Sequence, residues 1–487
     1  MKAWEFKNYE NTIKQRLTTE RGTIYGQGRR NIALAYPSTY AVGMASLGYQ
    51  QVYRILNELP DTVAERAFLP DDEIQSNHIL TYESRRSISD FSIIAIAIAC
   101  EREILGVFKL LKTAGIPILA NERTNIHPWI IIGGPLTYAN PLPLAAFADV
   151  IVMGEAEDLL APMCNIIFSG ISRDQSKQEL ASKPGFFVPS RHDNLLKNLA
   201  IANDSEILPA RSVLYSHEAI FGDTTLIEIE RGCSRSCGFC VMRRNDSGMR
   251  LFSAQRVLDL IQHESKRIGL VGAAVSDHPQ LLDIVAPLVA RGCQVSLSSL
   301  RADRLTTELT KLLVCGGAKT LTVAADGASE RIRQQIHKGI NAQHLINAAK
   351  LACIYKLTRL KCYAMVGLPD ESEEDIDELA TLANDLATAA GKHTRVVLGI
   401  STFVPKLHTP LAKSPFIGES AATMRIKRLR KQLKNKVEIR ADSTRWAWVE
   451  YILAQGSKQT GLQALDAFNN GGNFRDFKKA FSSYKIP

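Results

Sequence analysis

Two series of short apolar runs alternate with helical stretches along this chain, one in residues 31–167 and one in residues 222–412. The runs of the first series are NIALAYP, FSIIAIAIAC, WIIIGGP and ADVIVM. Continuous Val- and Ile-rich strands with helices between them are typical of parallel sheets whose two faces are both covered. We therefore predict that residues 31–167 form a doubly wound α/β domain of the Rossmann type.

The second series contains six candidate strands. They are predicted at 224–231, 269–276, 293–300, 319–326, 359–369 and 394–405. The intervening segments, such as AQRVLDLIQHESKRI, repeat apolar residues at helical spacing. Since a full barrel has eight strand–helix units, six units predict a partial (β/α)6 TIM barrel across residues 222–412.

The remaining segments lack this alternation. We predict an amino-terminal extension at 1–30, a linker with a short hairpin around GFFVPS at 168–221, and a helical, basic carboxyl-terminal region at 413–487. Within that last region, RIKRLRKQLKNK (425–436) carries seven cations and no acid. Without interleaved aromatic residues this pattern favours a solvated helix face, with nucleic acid as the alternative partner.

The composition is that of a globular chain, with 45% apolar and 22% charged residues and a net charge of +9 over 487 residues. The amino terminus has no apolar segment behind its charges. The longest apolar runs fall short of the ~20 residues that a membrane-spanning helix needs. We therefore expect a cytoplasmic protein with no membrane partner, in which cysteines are thiols or metal ligands rather than disulfides.

Cys233, Cys237 and Cys240 lie within eight positions, directly after the first predicted barrel strand. Their spacing lets a loop gather three thiolates around an iron–sulfur cluster, which leaves one iron without a protein ligand. An open metal position is typical of a catalytic site. The alternative is a zinc site completed by His263 or His278, neither of which has ligand-like spacing. The six other cysteines are scattered singly, and most are expected to be buried core residues.

The motif C-x-x-x-C-x-x-C, with Phe239 before its last cysteine and a barrel strand before its first, resembles the radical S-adenosylmethionine superfamily. The resemblance implies that the three cysteines hold three irons of a 4Fe-4S cluster. It implies that the fourth iron chelates the amino and carboxylate groups of S-adenosylmethionine. One electron, from a reductant such as flavodoxin or ferredoxin, would then release a 5'-deoxyadenosyl radical.

The same resemblance implies further cofactor contacts at the carboxyl ends of the barrel strands. The candidates are Phe239 beside the cluster, Asp277 after the second strand, Ser298 and Arg301 after the third, Asp326 and Ser329 after the fourth, and Gly367 and Leu368 after the fifth. FVPKLHTP (403–410) resembles the end of the sixth strand. The usual Gly-Gly-Glu of the second strand is absent, and Asp277 is expected to replace it in part; an ordinary turn or helix cap is the alternative.

The first domain resembles the cobalamin-binding domain that precedes the barrel in one class of the superfamily. The residues that carry this resemblance are Gly133, Gly134, Pro135, Asn140, Pro141, Gly154 and Glu155. Such folds bind ligands at the carboxyl ends of their strands, and glycines let the backbone approach a flat ligand closely. No D-x-H-x-x-G is present to offer a histidine to cobalt, and a domain that has lost the corrinoid is the alternative. A dinucleotide site is disfavoured because no G-x-G-x-x-G follows the first strand.

The leading functional hypothesis is a cobalamin-dependent radical methyltransferase that uses S-adenosylmethionine both as methyl source and as radical source, and that acts on an unactivated carbon. The second is a cobalamin-independent radical enzyme that abstracts hydrogen for a rearrangement, a ring closure or the modification of RNA or a peptide. The third is a non-enzymatic, cluster-bearing sensor that binds nucleic acid through 425–436. The sequence leaves the substrate and the residues that act on it unassigned.

Overall fold

The structure, a computed structural model, describes residues 3–71, 78–203, 206–244 and 248–482. Its strands, in chain order, are β1 Arg30–Thr39, β2 Thr62–Leu69, β3 Ile93–Ala97, β4 Trp129–Gly133, β5 Val150–Val152, β6 Phe186–Phe187, β7 Thr225–Glu228, β8 Glu230–Arg231, β9 Arg250–Leu251, β10 Arg267–Val271, β11 Gln294–Leu297, β12 Thr320–Asp326, β13 Arg359–Val366, β14 Arg395–Thr402 and β15 Glu438–Ala441. Its α-helices are α1 Ala3–Thr19, α2 Tyr40–Gly43, α3 Leu47–Glu58, α4 Ile104–Thr113, α5 Leu160–Ile167, α6 Arg173–Ala181, α7 Ala254–Asp259, α8 Leu281–Ala290, α9 Thr307–Cys315, α10 Glu330–Gln335, α11 Ala342–Ile354, α12 Glu373–Ala390, α13 Glu419–Gln432, α14 Thr444–Gln455, α15 Lys458–Asn469 and α16 Phe474–Ala480.

The chain divides into two compact units. The first consists of residues 1–223 together with 455–487, and the second of residues 224–454. The region predicted as one carboxyl-terminal segment at 413–487 is thus divided between the two units. Among the described residues, no helix has the length and apolarity that crossing a membrane requires.

The first unit is built on a sheet with the strand order β2-β1-β3-β4-β5-β6, in which every pairing is parallel except that of β6 with β5. The order of its first five strands is that of a doubly wound α/β fold, so the predicted fold is confirmed. Strand β2 is absent from the prediction because charged Glu65 and Arg66 interrupt its apolar pattern. Arg66 is nevertheless fully buried, and it forms ion pairs of 2.6 Å with both Glu20 and Glu83.

The predicted extension and linker differ from the structure, because both pack into the first unit. Tyr9 and Ile13 of α1 are buried in the same apolar core as Ile32 of the central strand. The apolar pair Phe186 and Phe187 forms β6, which extends the sheet beside β5 rather than folding into a hairpin.

Two contacts show how residues 455–482 pack within the first unit. The ring of Phe468 on α15 lies 5.6 Å from that of Phe108 on α4. Gly461 approaches the chain so closely that a Cβ there would lie 1.8 Å from the carbonyl oxygen of Pro143. This close approach requires glycine.

The second unit is a partial barrel. One sheet has the order β11-β10-β7 and the other the order β12-β13-β14-β15, all parallel, and a parallel bridge between Leu300 and Val323 connects them. The six predicted strands therefore follow one another around the barrel, and β15 adds a seventh. One face of these strands packs against the helices in an extended apolar core that includes Ile227, Val295 and Leu360. The alternate residues face the concave side.

Candidate functional site

The three-cysteine loop follows the first barrel strand. Antiparallel pairing of β8 with β9 closes the base of this loop. Gly232 begins it with φ of 88°, and a Cβ at this position would lie 2.1 Å from the carbonyl oxygen of Gly248. The tight turn into the loop therefore requires glycine.

The loop offers three free thiols, each partly exposed, at Cys233, Cys237 and Cys240. Two backbone hydrogen bonds at Gly238 hold the middle of the loop in place. The Gly238 N–H donates to the carbonyl of Ile336 at 2.9 Å, and its carbonyl accepts from the Leu411 N–H at 3.2 Å. The backbone that carries the thiols is thus fixed by the ends of other barrel units.

Burial raises the pKa of both Cys237 and Cys240, and negative charge on neighbouring cysteines raises it further. Positive Lys338 and Arg301 act in the opposite direction on Cys237. Thiolates gathered in this way favour a bound cation, because metal coordination stabilises the deprotonated form.

The zinc alternative finds no support in the side chains available. Among the described residues, no three His, Cys, Asp or Glu side chains converge on one ion position. His278 is buried with both ring nitrogens in contact with backbone, Nε2 at 3.0 Å from the Phe252 oxygen and Nδ1 accepting from the Gln280 N–H at 3.1 Å. His263 is exposed. A cluster binds each cysteine at a different iron, so its ligands need not converge on one point.

Phe239 belongs to a small apolar cluster that joins several barrel ends. The cluster is formed by Ile332, Ile336, Leu368 and Phe403, with Phe239, Met365 and Leu411 packed against it. It brings the predicted residues Phe239 and Leu368 together. Gly367, with φ of 90°, donates its N–H to Glu371 at 2.7 Å, and a Cβ there would lie 2.5 Å from the side chain of Ile417.

Asp277 is paired within the protein. It accepts two hydrogen bonds from Arg235 on the cysteine loop, at 2.8 and 2.6 Å, and one from Arg304 at 3.1 Å. Burial opposes its ionisation, but the hydrogen bonds and positive charge of these arginines prevail and lower the pKa of Asp277. Its carboxylate therefore ties the cysteine loop to the end of the second barrel strand.

Arg301 and Asp326 are brought together through Lys338. Arg301 donates to both oxygens of Asp303 at 3.0 and 3.1 Å and to the Lys338 carbonyl at 3.1 Å. The Lys338 ammonium lies 2.5 Å from the Asp326 carboxylate. These charges form a network beside the cysteine loop, since Lys338, Asp326 and Arg301 all influence Cys237.

The two predicted serines differ in their surroundings. Ser298 is exposed at the end of β11, and its hydroxyl lies 3.4 Å from the Gly272 carbonyl. Ser329 is fully buried as the cap of α10, where it accepts from the Ile332 N–H at 3.2 Å and donates to Asp375 at 2.5 Å. Its hydroxyl is therefore committed to the helix terminus.

Glu230 is a candidate residue that the sequence prediction missed. It is fully buried, and Oε1 accepts from the Ala274 N–H at 2.6 Å, while Oε2 has no hydrogen-bond partner among the described residues. Burial raises its pKa to about 7, and the charges of Glu228 and Asp277 contribute. The carboxylate reaches the end of β10, where a Cβ on Gly272 would lie 2.2 Å from it. Only its position three residues before the first cysteine could have indicated it.

The candidate residues of the first unit lie at the ends of β4 and β5. Gly134 has φ of 116°, and a Cβ there would lie 2.6 Å from the carbonyl oxygen of Ile98. Gly154 has φ of 94°, and a Cβ there would lie 2.5 Å from that of Ala200. The chain's own backbone therefore accounts for glycine at 134 and at 154, and the expectation that Gly133 and Gly134 approach a flat ligand stays a prediction.

The neighbouring candidates have similar surroundings. Glu155 donates its N–H to the Ala200 carbonyl at 3.0 Å and accepts from the Ala202 N–H at 2.7 Å, which fastens segment 200–202 to the end of β5. Gly133 ends β4 in ordinary contact with Val152, and Pro135 begins a short 3-10 turn.

Two family descriptions match this chain. Residues 48–189 match "Radical SAM proteins, N-terminal", and residues 227–383 match "Radical SAM superfamily". The second match includes the three-cysteine loop and the barrel strands through β13.

Two archaeal proteins are similar in sequence. The uncharacterized protein MJ0966 of Methanocaldococcus jannaschii is 26% identical over 435 residues, which cover 88% of this chain and 89% of that protein. The uncharacterized methyltransferase PH0819 of Pyrococcus horikoshii is 24% identical over 286 residues, which cover 54% of this chain and 60% of that protein.

Among solved structures, the cobalamin-dependent S-adenosylmethionine radical enzyme OxsB has a similar fold. Its structure with aqua-cobalamin gives a TM-score of 0.53 at 14% identity, covering 73% of this chain and 52% of OxsB. Its structure with aqua-cobalamin and S-adenosylmethionine gives a TM-score of 0.53 at 13% identity. That alignment covers 93% of this chain and 70% of OxsB. This chain thus aligns with about half to 70% of the length of OxsB, and the likeness is one of fold.

Proposed function

Because this chain belongs to the radical S-adenosylmethionine superfamily, we propose that Cys233, Cys237 and Cys240 hold three irons of a 4Fe-4S cluster and that the chain cleaves S-adenosylmethionine at the fourth. The observation that carries this proposal is the anchored loop with three free, partly exposed thiols at the end of the first barrel strand. A reductant such as flavodoxin or ferredoxin would supply the electron.

When bound, the cluster supplies the electron that splits S-adenosylmethionine into methionine and a 5'-deoxyadenosyl radical. The protein's own contribution is to position the groups and to exclude water. Arg235 and Asp277 hold the loop against the second strand. Phe239 and Leu368 belong to one apolar cluster beside the loop, and this apolar surface would exclude water from the bound iron–sulfur cluster.

The buried carboxylate of Glu230 fits the ammonium group of S-adenosylmethionine. Its unpartnered, buried Oε2 is an acceptor of the kind that a cofactor ammonium group can satisfy with a charge-assisted hydrogen bond. Asp277, the residue expected to replace the missing Gly-Gly-Glu acid, is already paired with two arginines. We therefore assign the ammonium contact to Glu230, for which glycine at 272 leaves space.

The experiment is the anaerobic reduction of reconstituted protein with S-adenosylmethionine, followed by quantification of 5'-deoxyadenosine. Wild-type protein is expected to form it, and Cys237→Ala is expected to lose both the cluster and the product. Cys315→Ala is the matched control because Cys315 is also a free, exposed thiol, but lies on α9. Product formation by Cys237→Ala equal to that of the control would refute the proposal.

Cobalamin-dependent methyl transfer to an unactivated carbon is the second candidate function. It is supported by the fold shared with OxsB and by the name of PH0819. Contacts with the chain's own backbone account for Gly134 and Gly154, and we derive no step through the corrinoid. Reconstitution with hydroxocobalamin tests it: retained corrinoid at one per chain and S-adenosylhomocysteine among the products support methyl transfer. Protein that forms 5'-deoxyadenosine and retains no corrinoid favours the cobalamin-independent hypothesis.

A further inference from the structure

The concave face of β13, β14 and β15 is polar and open. On β13, Leu360, Cys362 and Ala364 face the helices in the apolar core. Lys361 and Tyr363 alternate with them and therefore face the concave side. A cavity of about 390 Å³ lies on this face. Its principal polar lining residues are Lys361, Tyr363, Ser401, Arg440 and Asp442.

The ring of Tyr363 lies with one edge against β14 and is otherwise exposed to this cavity. Its side chain is 43% exposed, although it lies in the middle of a central strand. The ring edge rests on Gly399 of β14, where a Cβ would lie 2.5 Å from Cδ1 and 2.7 Å from Cε1. Glycine inside a strand is unfavourable and often marks a close approach. Here it lets the ring lie against the sheet and leaves the rest of its surface open to the cavity.

The face also carries a positive group, the Lys361 ammonium, that forms no ion pair with any residue that the structure describes. Within the described part of the chain, neither the Lys361 ammonium nor the Tyr363 hydroxyl has a hydrogen-bond or ion-pair partner. Arg395 and Arg440 both pair with Glu438, at 2.8 and 2.7 Å. An ammonium group inside a concave site is best satisfied by an anion.

Strand β13 connects this cavity with the apolar cluster beside the cysteine loop. Met365 lies two residues beyond Tyr363 on the same face of β13, which is about 7 Å at the rise of a strand. Met365 packs in the apolar cluster that contains Phe239, the residue directly before Cys240. A ligand on Tyr363 would therefore extend toward the loop where the radical is proposed to form.

We propose that this cavity binds a nucleotide of the substrate, with the base against the ring of Tyr363 and the phosphate at Lys361; the inference rests on the proposed function. An aromatic platform beside a free cation is how proteins bind unpaired nucleotides. Ser401 and Asp442 supply hydroxyl and carboxylate groups that can bond to base edges. The ligand is a free nucleotide or a nucleotide within single-stranded RNA, two sources of the same chemistry.

The test measures equilibrium binding to reconstituted full-length protein with two probes, AMP or UMP alone and a fluorescein-labelled single-stranded RNA octamer. Tyr363→Ala is expected to bind the preferred probe about tenfold more weakly or worse, and Tyr363→Phe to retain most of the affinity. Lys361→Gln is expected to weaken binding and to reduce the salt slope by about one. Tyr25→Ala is the control, because Tyr25 is an exposed tyrosine of the first unit. Far-ultraviolet circular dichroism establishes that each variant is folded.

The two probes distinguish the sources: tighter binding of the octamer indicates RNA, and binding confined to AMP or UMP indicates a free nucleotide. The proposal is overturned if wild-type protein binds neither probe at about 1 mM, or if Tyr363→Ala binds as tightly as Tyr25→Ala. Formation of 5'-deoxyadenosine by wild-type protein without substrate is measured in a separate assay. If no 5'-deoxyadenosine forms, the proposed function is refuted. If 5'-deoxyadenosine forms but neither probe binds, only this inference is refuted.

Discussion

Arg235 and Asp277 form a two-hydrogen-bond ion pair, at 2.8 and 2.6 Å, that fastens the three-cysteine loop to the end of the second barrel strand. Asp277→Asn removes the charge and leaves Arg235 partly buried without its counter-ion. Since Arg235 is 29% exposed, solvent compensates in part, and we expect a loss of about 1–2 kcal/mol in unfolding free energy. We also expect at least a twofold loss of iron retained per chain after desalting. Asp377→Asn, which breaks the exposed pair with Arg428, is the control; equal iron in both variants would contradict the role of Asp277.

The buried Glu230 carboxyl makes stability depend on pH. Its pKa is about 7 in the folded chain, above the ordinary 4.5, so the folded chain binds more protons between these values. Stability therefore falls as the pH rises from about 4.5 to 7, by at most about 3 kcal/mol from this group. Glu230→Gln removes this contribution. Urea unfolding of the cluster-free wild type and variant at pH 5.5 and 8 checks the prediction, and the stability of the variant relative to the wild type is expected to be higher at pH 8 than at pH 5.5. A difference that is the same at both pH values would contradict it.

Arg66 is expected to be essential to the first unit. Arg66→Met leaves the buried carboxylates of Glu20 and Glu83 without their cation. Breaking a buried pair by removing one partner costs about 3–5 kcal/mol. Arg29→Met breaks a pair in which Arg29 is 92% exposed, and it should cost little stability because solvent screens the pair. Denaturant midpoints measure both, and a similar small loss in the two variants would show that the buried pair contributes little.

Gly399 is expected to set the position of Tyr363. Gly399→Ala would place a methyl group against the ring, which must move or strain the strand, at a cost of about 1–3 kcal/mol. Gly48→Ala is the control, since open space surrounds that helical position and alanine favours helix. Thermal unfolding and intrinsic tyrosine fluorescence report both changes. Unaltered stability in Gly399→Ala would show that the ring does not depend on the glycine.

The sequence was sufficient to predict the strands of both units where apolar runs are continuous. Strands such as β4, WIIIG, are buried on both faces, so local composition identifies them. It failed at β2, whose buried Arg66 is paired with Glu20 and Glu83, residues remote in sequence. It also failed to divide the carboxyl-terminal region, because nothing local indicates that Phe468 packs on Phe108.

In the candidate site, too, local patterns were predicted from the sequence and contacts between remote residues were not. The cysteine spacing is a local pattern, and it correctly places the three thiols on one loop after the first barrel strand. The pairing of Asp277 with Arg235 and the orphaned oxygen of Glu230 arise from contacts between strands, which no local pattern specifies. An acid beside a strand end usually indicates a solvated surface, and only the structure places Glu230 in the interior.

The central claim is that three cysteines hold a cluster whose fourth iron is open. The most direct measurement is electron paramagnetic resonance of the anaerobically reconstituted, reduced protein before and after addition of S-adenosylmethionine, with iron and sulfide counted in the same sample. We expect about four irons and four sulfides per chain, and a shift of the cluster signal when S-adenosylmethionine binds. Bound zinc in place of iron, or a cluster signal that S-adenosylmethionine leaves unchanged, would contradict the account.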